Sequence, residues 1–177
     1  MSQVLTTHVG SLPRSQRVVD QLFARERGDP AFDMAAFRAC MREEVSETVR
    51  KQVEAGIDIV SDGETSKISY ATYVKDRYTG FSGDSKRNAP ADLKRFPSFL
   101  ERIADSGGTP QYARPECTGP VAPISDEDLR ADIENLTAAM TTHGARHGFM
   151  NAASPGVISL FLPNRYYSSR ETYLEAL

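Results

Sequence analysis

The feature that most constrains this chain is the alternation of short β-branched runs with longer helical patterns. Candidate strands lie at residues 4–9, 57–61, 112–118 and 148–153. Helical patterns lie between and after them, at residues 16–27, 34–55 and 126–142 and from residue 169 onward. Such alternation predicts parallel strands joined by right-handed helical crossovers. We therefore expect an α/β fold with about four βα units in a single domain, residues 1–177.

The longest helical pattern, residues 34–55, has clear signals at both ends. Asp33 is the expected N-cap, because its carboxylate can accept a hydrogen bond from a free N–H group of the first turn. Gly56 fits the position after the helix, where a left-handed backbone is needed. One largely apolar face is expected to be buried, and it comprises Met34, Phe37, Met41, Val45, Thr48 and Val49.

A second helix is predicted for residues 126–142. Ser125 is its expected N-cap, with an acidic residue three positions later in a variant of the capping box. Its apolar stripe has the 4-3-4 spacing of a helix face and comprises Leu129, Ile133, Leu136 and Met140. We expect this stripe to pack on the core.

A loop-rich stretch separates the second and third predicted strands. Residues 70–78 predict a helix, and residues 80–110 are rich in Gly, Asn and Pro, with a short helix near 99–104. A stretch this long is unusual in a compact domain, which makes it a candidate lid or binding excursion.

The loops that follow the predicted strands are the expected place for chemistry, because sites in such folds lie at the carboxyl ends of the strands. Gly10 and Ser11 can offer N–H groups and a hydroxyl to a carboxylate or phosphate, although Gly10 could also simply permit a tight turn. Asp62 and Glu64 can hold an ammonium group or act as acid and base, or they could form a solvated acidic turn.

Histidine and cysteine residues offer other chemistries with less support. His143 and His147 have the spacing of two zinc ligands on a helix, but Gly144 stands where a zinc protease has its general-base Glu. Cys40 lies on the apolar side of its predicted helix and is expected in the core. A nucleophilic pair of Cys117 and His8 lacks any local signature.

Composition excludes several classes of function. The 21 basic and 24 acidic residues give a net charge of −3, which argues against binding nucleic acid. No run approaches the ~18 apolar residues that span a bilayer, and the first residues lack the pattern of a signal peptide. Two cysteines are too few for a disulfide framework. Nucleotide-binding glycine motifs are absent from the sequence. A cytoplasmic protein is expected.

Four segments in a fixed order resemble one family. They are residues 6–14 (TTHVGSLPR), 55–64 (AGIDIVSDGE), 117–121 (CTGPV) and 153–156 (ASPG), and the tail at 161–167 (FLPNRYY) is similar too. They look like the catalytic barrel of cobalamin-independent methionine synthase, in its shorter methionine-synthase-like branch. The resemblance implies a TIM (β/α)8 barrel in which zinc holds the thiol of homocysteine, the acceptor of a methyl group from a folate. The branch also includes thiol alkyltransferases with other donors.

The resemblance also implies roles for particular residues. Val9, Gly10 and Ser11 would bind the carboxylate end of the amino acid, and Glu64 would hold its ammonium group. The strand-end loops add further candidates for the pocket, namely His8, Asp62, Cys117 and Ser154. The zinc ligands of the family, a His-x-Cys pair and a further Cys, have no match in this sequence. They are therefore expected beyond Leu177, with no metal bound by this chain.

The length of the chain conflicts with a complete barrel. A (β/α)8 barrel typically needs ~250 residues, so 177 residues predict its N-terminal half. The chain is then expected to be inactive alone. Its open sheet edges predict either a homodimer that pairs through these edges or a monomer of poor stability. Two alternatives remain open: a non-catalytic half-barrel that binds a ligand or partner, and a barrel of the uroporphyrinogen decarboxylase type.

Overall fold

The computed structural model describes residues 4–85, 93–105 and 114–177, which form helices around two short sheets. The α-helices in these ranges are α1 (Gln16–Glu26), α2 (Met34–Glu54), α3 (Pro97–Asp105), α4 (Glu127–His143), α5 (Pro155–Phe161) and α6 (Arg170–Ala176). The strands are β1 (Ile59–Ser61), β2 (Phe81–Ser82), β3 (Glu116–Cys117) and β4 (His147–Phe149). Short 3-10 helices lie at Thr72–Asp76 and Leu93–Arg95. No helix in these ranges has the length and hydropathy needed to cross a membrane.

The first sheet is parallel, as the alternating pattern predicts. β1 pairs with β4, with Ile59 opposite His147. On its other side, Ile59 forms a parallel bridge with Thr7. The predicted strand at residues 4–9 is thus present as a single bridge. Across the described ranges these strands do not close into a barrel, and the count of four βα units is not confirmed.

The second sheet departs from the expected parallel order. β3, within the predicted third strand, pairs antiparallel with β2, so that Phe81 lies opposite Cys117. The Cys117 N–H donates to Pro163 O at 2.8 Å, and Arg165 N–H donates to Cys117 O at 2.8 Å. Both backbone groups of Cys117 are therefore satisfied by the 163–165 segment rather than by a neighbouring barrel strand.

Helix α2 has the predicted caps and the predicted buried face. The Asp33 carboxylate accepts from Ala35 N–H at 2.9 Å, and Gly56 has a φ of 77° just after the helix. Phe37, Met41 and five further side chains of the helix are buried, whereas Met34 is exposed. α2 therefore joins the two main core clusters, one against α1 and one against β1 and α4.

Helix α4 corrects the sequence prediction in two respects. Its N-cap is Asp126 rather than Ser125, although the Ser125 hydroxyl accepts from Glu127 N–H at 3.0 Å. Leu136 is buried as expected, but Leu129 and Ile133 are 47% and 48% exposed. The helix is rotated so that its buried face includes Asp132, which an arginine and a serine from the 66–77 segment hold by its carboxylate.

The remaining predictions were correct in part. α3 occupies the position of the helix predicted near 99–104, and Ser169 caps α6 as expected. Only a 3-10 helix lies within the helix predicted at 70–78. Helix α5 was not predicted, because its Ser-Pro-Gly start was interpreted as a loop. Residues 86–92 and 106–110 of the predicted excursion, and residues 112–113 of the predicted third strand, lie outside the described residues.

Candidate functional site

A cavity of about 370 Å³ opens where the first strand-like segment, β1 and β4 end. Its walls come from three loops that the parallel sheet brings to one edge, as expected for carboxyl ends of parallel strands. The lining residues are Val9, Gly10, Ser11, Glu64, Tyr70, Asn151 and Ala152. Four of them, Val9, Gly10, Ser11 and Glu64, are the residues that the sequence predicts for substrate binding.

Glu64 is the most constrained residue of this cavity. Its side chain is buried, with 3% of the residue exposed. The Ser11 hydroxyl donates to its Oε2 at 2.5 Å, and the Asn151 amide donates to its Oε1 at 3.2 Å. Its φ is 54°, in the left-handed region that costs a non-glycine residue about 1–3 kcal/mol. A conformation of this cost persists only where the surroundings hold it, and such residues cluster at functional sites.

The backbone of Glu64 is held from both sides. The Nη2 atom of Arg14 donates to both Glu64 O and Lys67 O, each at 2.8 Å. Glu64 N–H donates to the Asp62 carboxylate at 3.1 Å. Burial lowers the pKa of Arg14, and the charges of Glu64 and Asp62 oppose that shift. Arg14 thus joins the first loop to the second through backbone carbonyls.

The turn before Glu64 requires glycine. Gly63 has a φ of 62°, and a Cβ there would lie 3.1 Å from the Leu12 side chain and 3.2 Å from that of Thr48. Gly63 O also accepts from Leu12 N–H at 3.1 Å. The close approach of the two loops therefore depends on the absence of a side chain at this position.

A buried ion pair between Lys67 and Asp62 also stabilises this turn. Lys67 Nζ lies 3.1 Å from Asp62 Oδ2, and both side chains are almost fully buried. Asp62 therefore has a structural partner and does not line the cavity. The end of β1 is fixed by Gln52, whose side-chain amide donates to Ser61 O at 2.8 Å and accepts from Ser61 N–H at 3.0 Å.

The other side of the cavity offers hydrogen-bond donors. The N–H groups of Gly10 and Ser11 donate to no acceptor among residues 4–85, 93–105 and 114–177. Gly10 has a φ of 90°, a backbone conformation that residues other than glycine rarely adopt. Free N–H groups at a turn can hold an anion such as a carboxylate. The cavity therefore combines a buried carboxylate with donors suited to a negative group.

Three other predicted site residues lie elsewhere. His8 lines a separate cavity beside α2. Cys117 is fully buried in the antiparallel sheet, its thiol contacts Gly119 O at 3.5 Å, and burial raises the thiol pKa. The Ser154 hydroxyl accepts from Val157 N–H at 3.3 Å and so caps α5. None of the three lines the cavity around Glu64.

The described residues do not fit a zinc ion. All three histidines and both cysteines of the sequence lie in the described ranges. In these ranges no three or more side chains of His, Cys, Asp or Glu lie together in a group that could hold a metal ion. His143 is the last residue of α4, and its ring nitrogen lies 2.9 Å from the Ser46 hydroxyl, whereas His147 is in β4.

Sequence reasoning missed three residues that build this cavity. Asn151 follows β4, and its signal was a lone amide in an otherwise apolar run before the Ser-Pro-Gly turn. Tyr70 lines the cavity and packs edge-on against Phe161 at 5.6 Å between ring centroids. Arg14 ends the first motif, but its part in holding the second loop follows only from the fold.

Part of this chain is similar in sequence to one family model and to several curated proteins. The family model described as the catalytic domain of cobalamin-independent synthase matches residues 4–90. A 5-methyltetrahydropteroyltriglutamate–homocysteine methyltransferase of Actinobacillus pleuropneumoniae serotype 7 is 29% identical over 153 residues. That match covers 75% of this chain and 19% of the relative. A protein with the same name from Thermosynechococcus vestitus is 25% identical over 156 residues, 76% of this chain and 20% of the relative.

The fold has a similar solved structure. A B12-independent methionine synthase from Shewanella sp. W3-18-1, in complex with selenomethionine, superposes with a TM-score of 0.64 at 21% identity. The match covers 96% of this chain and 43% of that one. The chain thus spans about a fifth of the curated relatives it matches and less than half of the solved synthase.

Proposed function

Because residues 4–90 of this chain belong to the catalytic-domain family of the cobalamin-independent synthases, we propose that its cavity binds the amino-acid end of a thiol substrate such as homocysteine. The reaction class proposed for a complete barrel of this kind is methyl or alkyl transfer to that thiol. The proposal is supported by the cavity and by the names of the relatives, which specify homocysteine and a methylated folate.

In the proposed complex, Glu64 accepts hydrogen bonds from the ammonium group, and the Gly10 and Ser11 N–H groups donate to the carboxylate. Without a ligand, the Ser11 hydroxyl donates to Glu64. When the ammonium group takes over that carboxylate oxygen, the hydroxyl can turn its proton toward the ligand carboxylate. Each charge of the amino acid then meets complementary groups, so neither is left desolvated without a partner.

The main observation behind the proposal is that Glu64 is buried, has a left-handed backbone conformation and lies at the wall of an open cavity. Its carboxylate has two neutral donors, Ser11 and Asn151. A cationic ligand would place a positive charge in direct contact with this carboxylate. The solved synthase of the same fold contains selenomethionine, which agrees with an amino-acid ligand of this class.

Methyl transfer itself is proposed to need more than the described residues. The resemblance implies a zinc ion that binds the thiol, and when bound that ion would stabilise the thiolate. Cys40 lies in the α1–α2 core, and Cys117 lies in the antiparallel sheet. We therefore assign no zinc ligand and no transfer step to this chain, and propose that it binds the amino acid without transferring the methyl group.

A homodimer is proposed from the backbone edges of the parallel sheet. In the described ranges the 4–9 segment and β4 each pair on one side only, with β1 between them. Unpaired edges favour pairing with another chain. Light scattering during size-exclusion chromatography should give the mass of two chains, and a monomer at all concentrations would contradict the proposal. A cytoplasmic location remains a prediction.

Isothermal titration calorimetry tests the binding proposal. L-Homocysteine and L-methionine should bind the chain, and Glu64→Gln should weaken both by about 30-fold or more, because the buried charge that pairs with the ammonium is lost. Glu171→Gln, at an exposed position in the first turn of α6, serves as the control and should bind like the wild type. Equal binding by Glu64→Gln, or no binding by the wild type, would contradict the proposal.

A second assay separates a transferase from a non-catalytic binding module. The chain is incubated with homocysteine, a methylated folate and zinc, with and without a separately supplied C-terminal half of a related barrel. Methionine formation only in the combined sample would support the transferase proposal. Amino-acid binding without activity in any combination would favour the binding module.

A further inference from the structure

Asn151 holds a position in the cavity that the sequence motifs do not assign. It lies two residues after β4, lines the cavity and is half-buried. Its amide nitrogen donates to Glu64 Oε1 at 3.2 Å. The contact joins the end of β4 to the loop after β1, across the two strands that pair in the parallel sheet.

The other end of this amide is free to take part in binding. Within the described ranges, Asn151 Oδ1 accepts no hydrogen bond. An amide has both donors and an acceptor, so one side chain can hold a carboxylate with its nitrogen and offer its oxygen to a ligand. An aspartate there would instead set a second negative charge against Glu64.

We propose that Asn151 is a specificity-determining residue that recognises a primary ammonium group. Its Oδ1 accepts one N–H of the ligand while its Nδ2 keeps Glu64 in place to accept the others. This inference rests on the proposed amino-acid site and adds a second acceptor to it. A primary ammonium group has three N–H donors, and N-methylation removes one of them and adds bulk where the amide oxygen lies.

Calorimetry with two ligands tests the role of Asn151. The probes are L-methionine and N-methyl-L-methionine, and the proteins are the wild type, Asn151→Leu and Ser11→Ala. The wild type should bind methionine about tenfold or more tightly than the N-methylated ligand, since N-methylation removes a hydrogen bond between the charged ammonium group and the amide oxygen. In Asn151→Leu this preference should fall to about threefold or less. Ser11→Ala should weaken both ligands and keep the preference.

The ratio of the two affinities distinguishes recognition from a merely structural role. Loss of structure at Glu64 would weaken both ligands together, whereas loss of the amide oxygen changes their ratio. Asn151→Ala, which adds no bulk, is the second variant and should lose the preference in the same way. An unchanged ratio in both variants would overturn the inference and leave the proposed function intact. A wild type that binds neither ligand would overturn both.

Discussion

The two small sheets of this molecule differ in what they bring together. The parallel sheet places the ends of the 4–9 segment, β1 and β4 at one edge, where Ser11, Glu64 and Asn151 line the same cavity. The antiparallel sheet of β2 and β3 buries Cys117 between Phe81 and the 163–165 segment. Both sheets have short strands, but the first places polar side chains from three loops around one cavity, whereas the second buries Cys117.

This difference shows when a position after a strand predicts a site. The rule that chemistry follows strand ends applies to neighbouring parallel strands, whose carboxyl ends lie on the same side. Cys117 fits the rule by sequence, but an antiparallel partner and a buried thiol remove it from the cavity. The predictions below test this contrast in order of decreasing effect.

The largest effect is expected at the buried ion pair beneath the cavity. Lys67→Met should lower the free energy of unfolding by about 3–5 kcal/mol, because it removes the ammonium group that pairs with the buried Asp62 carboxylate. Lys51→Met is the matched control, since its pair with Glu47 is solvent-exposed and contributes about 0–1 kcal/mol. Urea unfolding measures both. A similar loss in the two variants would show that the pair does not support the turn.

The next effect separates the two faces of α4. Leu136→Ala should cost about 3 kcal/mol, because it opens a void in the cluster that α4 forms with Val60 of the parallel sheet. Leu129→Ala, at a residue that is 47% exposed, should cost about 0.5 kcal/mol. Urea unfolding compares the two variants. If Leu129 proved as costly as Leu136, the stripe read from the sequence would be the buried face after all.

A smaller effect is expected where β4 leads into α5. Ser154→Ala removes the N-cap of α5 and should lower the free energy of unfolding by about 1 kcal/mol. Because Ser154 does not line the cavity, methionine affinity should be unchanged. Thermal unfolding and calorimetry measure the two quantities. A loss of affinity with normal stability would place Ser154 in the site rather than in the helix cap.

The smallest effect concerns the antiparallel region at alkaline pH. Burial raises the pKa of the Cys117 thiol and of the Tyr173 hydroxyl. The unfolded chain therefore loses these protons at lower pH than the folded chain does. The free energy of unfolding falls as pH rises above about 8.5, the pKa of a cysteine thiol in an unfolded chain. Cys117→Ala should lose less stability than the wild type between neutral pH and about pH 10. Equal losses in urea unfolding would contradict this assignment.

Local signals in the sequence predicted the elements best. The Asp33 cap, the Gly56 stop and the apolar face of α2 depend on neighbouring residues, and the structure contains all three. The face of α4 could not be predicted in this way. Asp132 is buried and pairs with Arg77 from a distant segment, so the buried face of α4 includes an acidic residue that lies outside its apolar stripe.

The same limit applies to the site. Ser11 and Glu64 belong to motifs that stand out in the sequence, so they could be proposed together before their contact was known. Asn151 and Arg14 matter through contacts with Glu64 across at least 50 positions of sequence. Only the parallel pairing of β1 with β4 shows that Asn151 reaches the same carboxylate.

The central claim is that the cavity at Glu64 binds an amino acid, and a selenium position would test it most directly. Crystals of the protein with ordinary methionine, soaked in L-selenomethionine, would show the bound ligand by anomalous scattering. We predict a selenium peak in the cavity, with the ligand ammonium within hydrogen-bonding distance of Glu64. A peak elsewhere, or an empty cavity at saturating ligand, would contradict the claim.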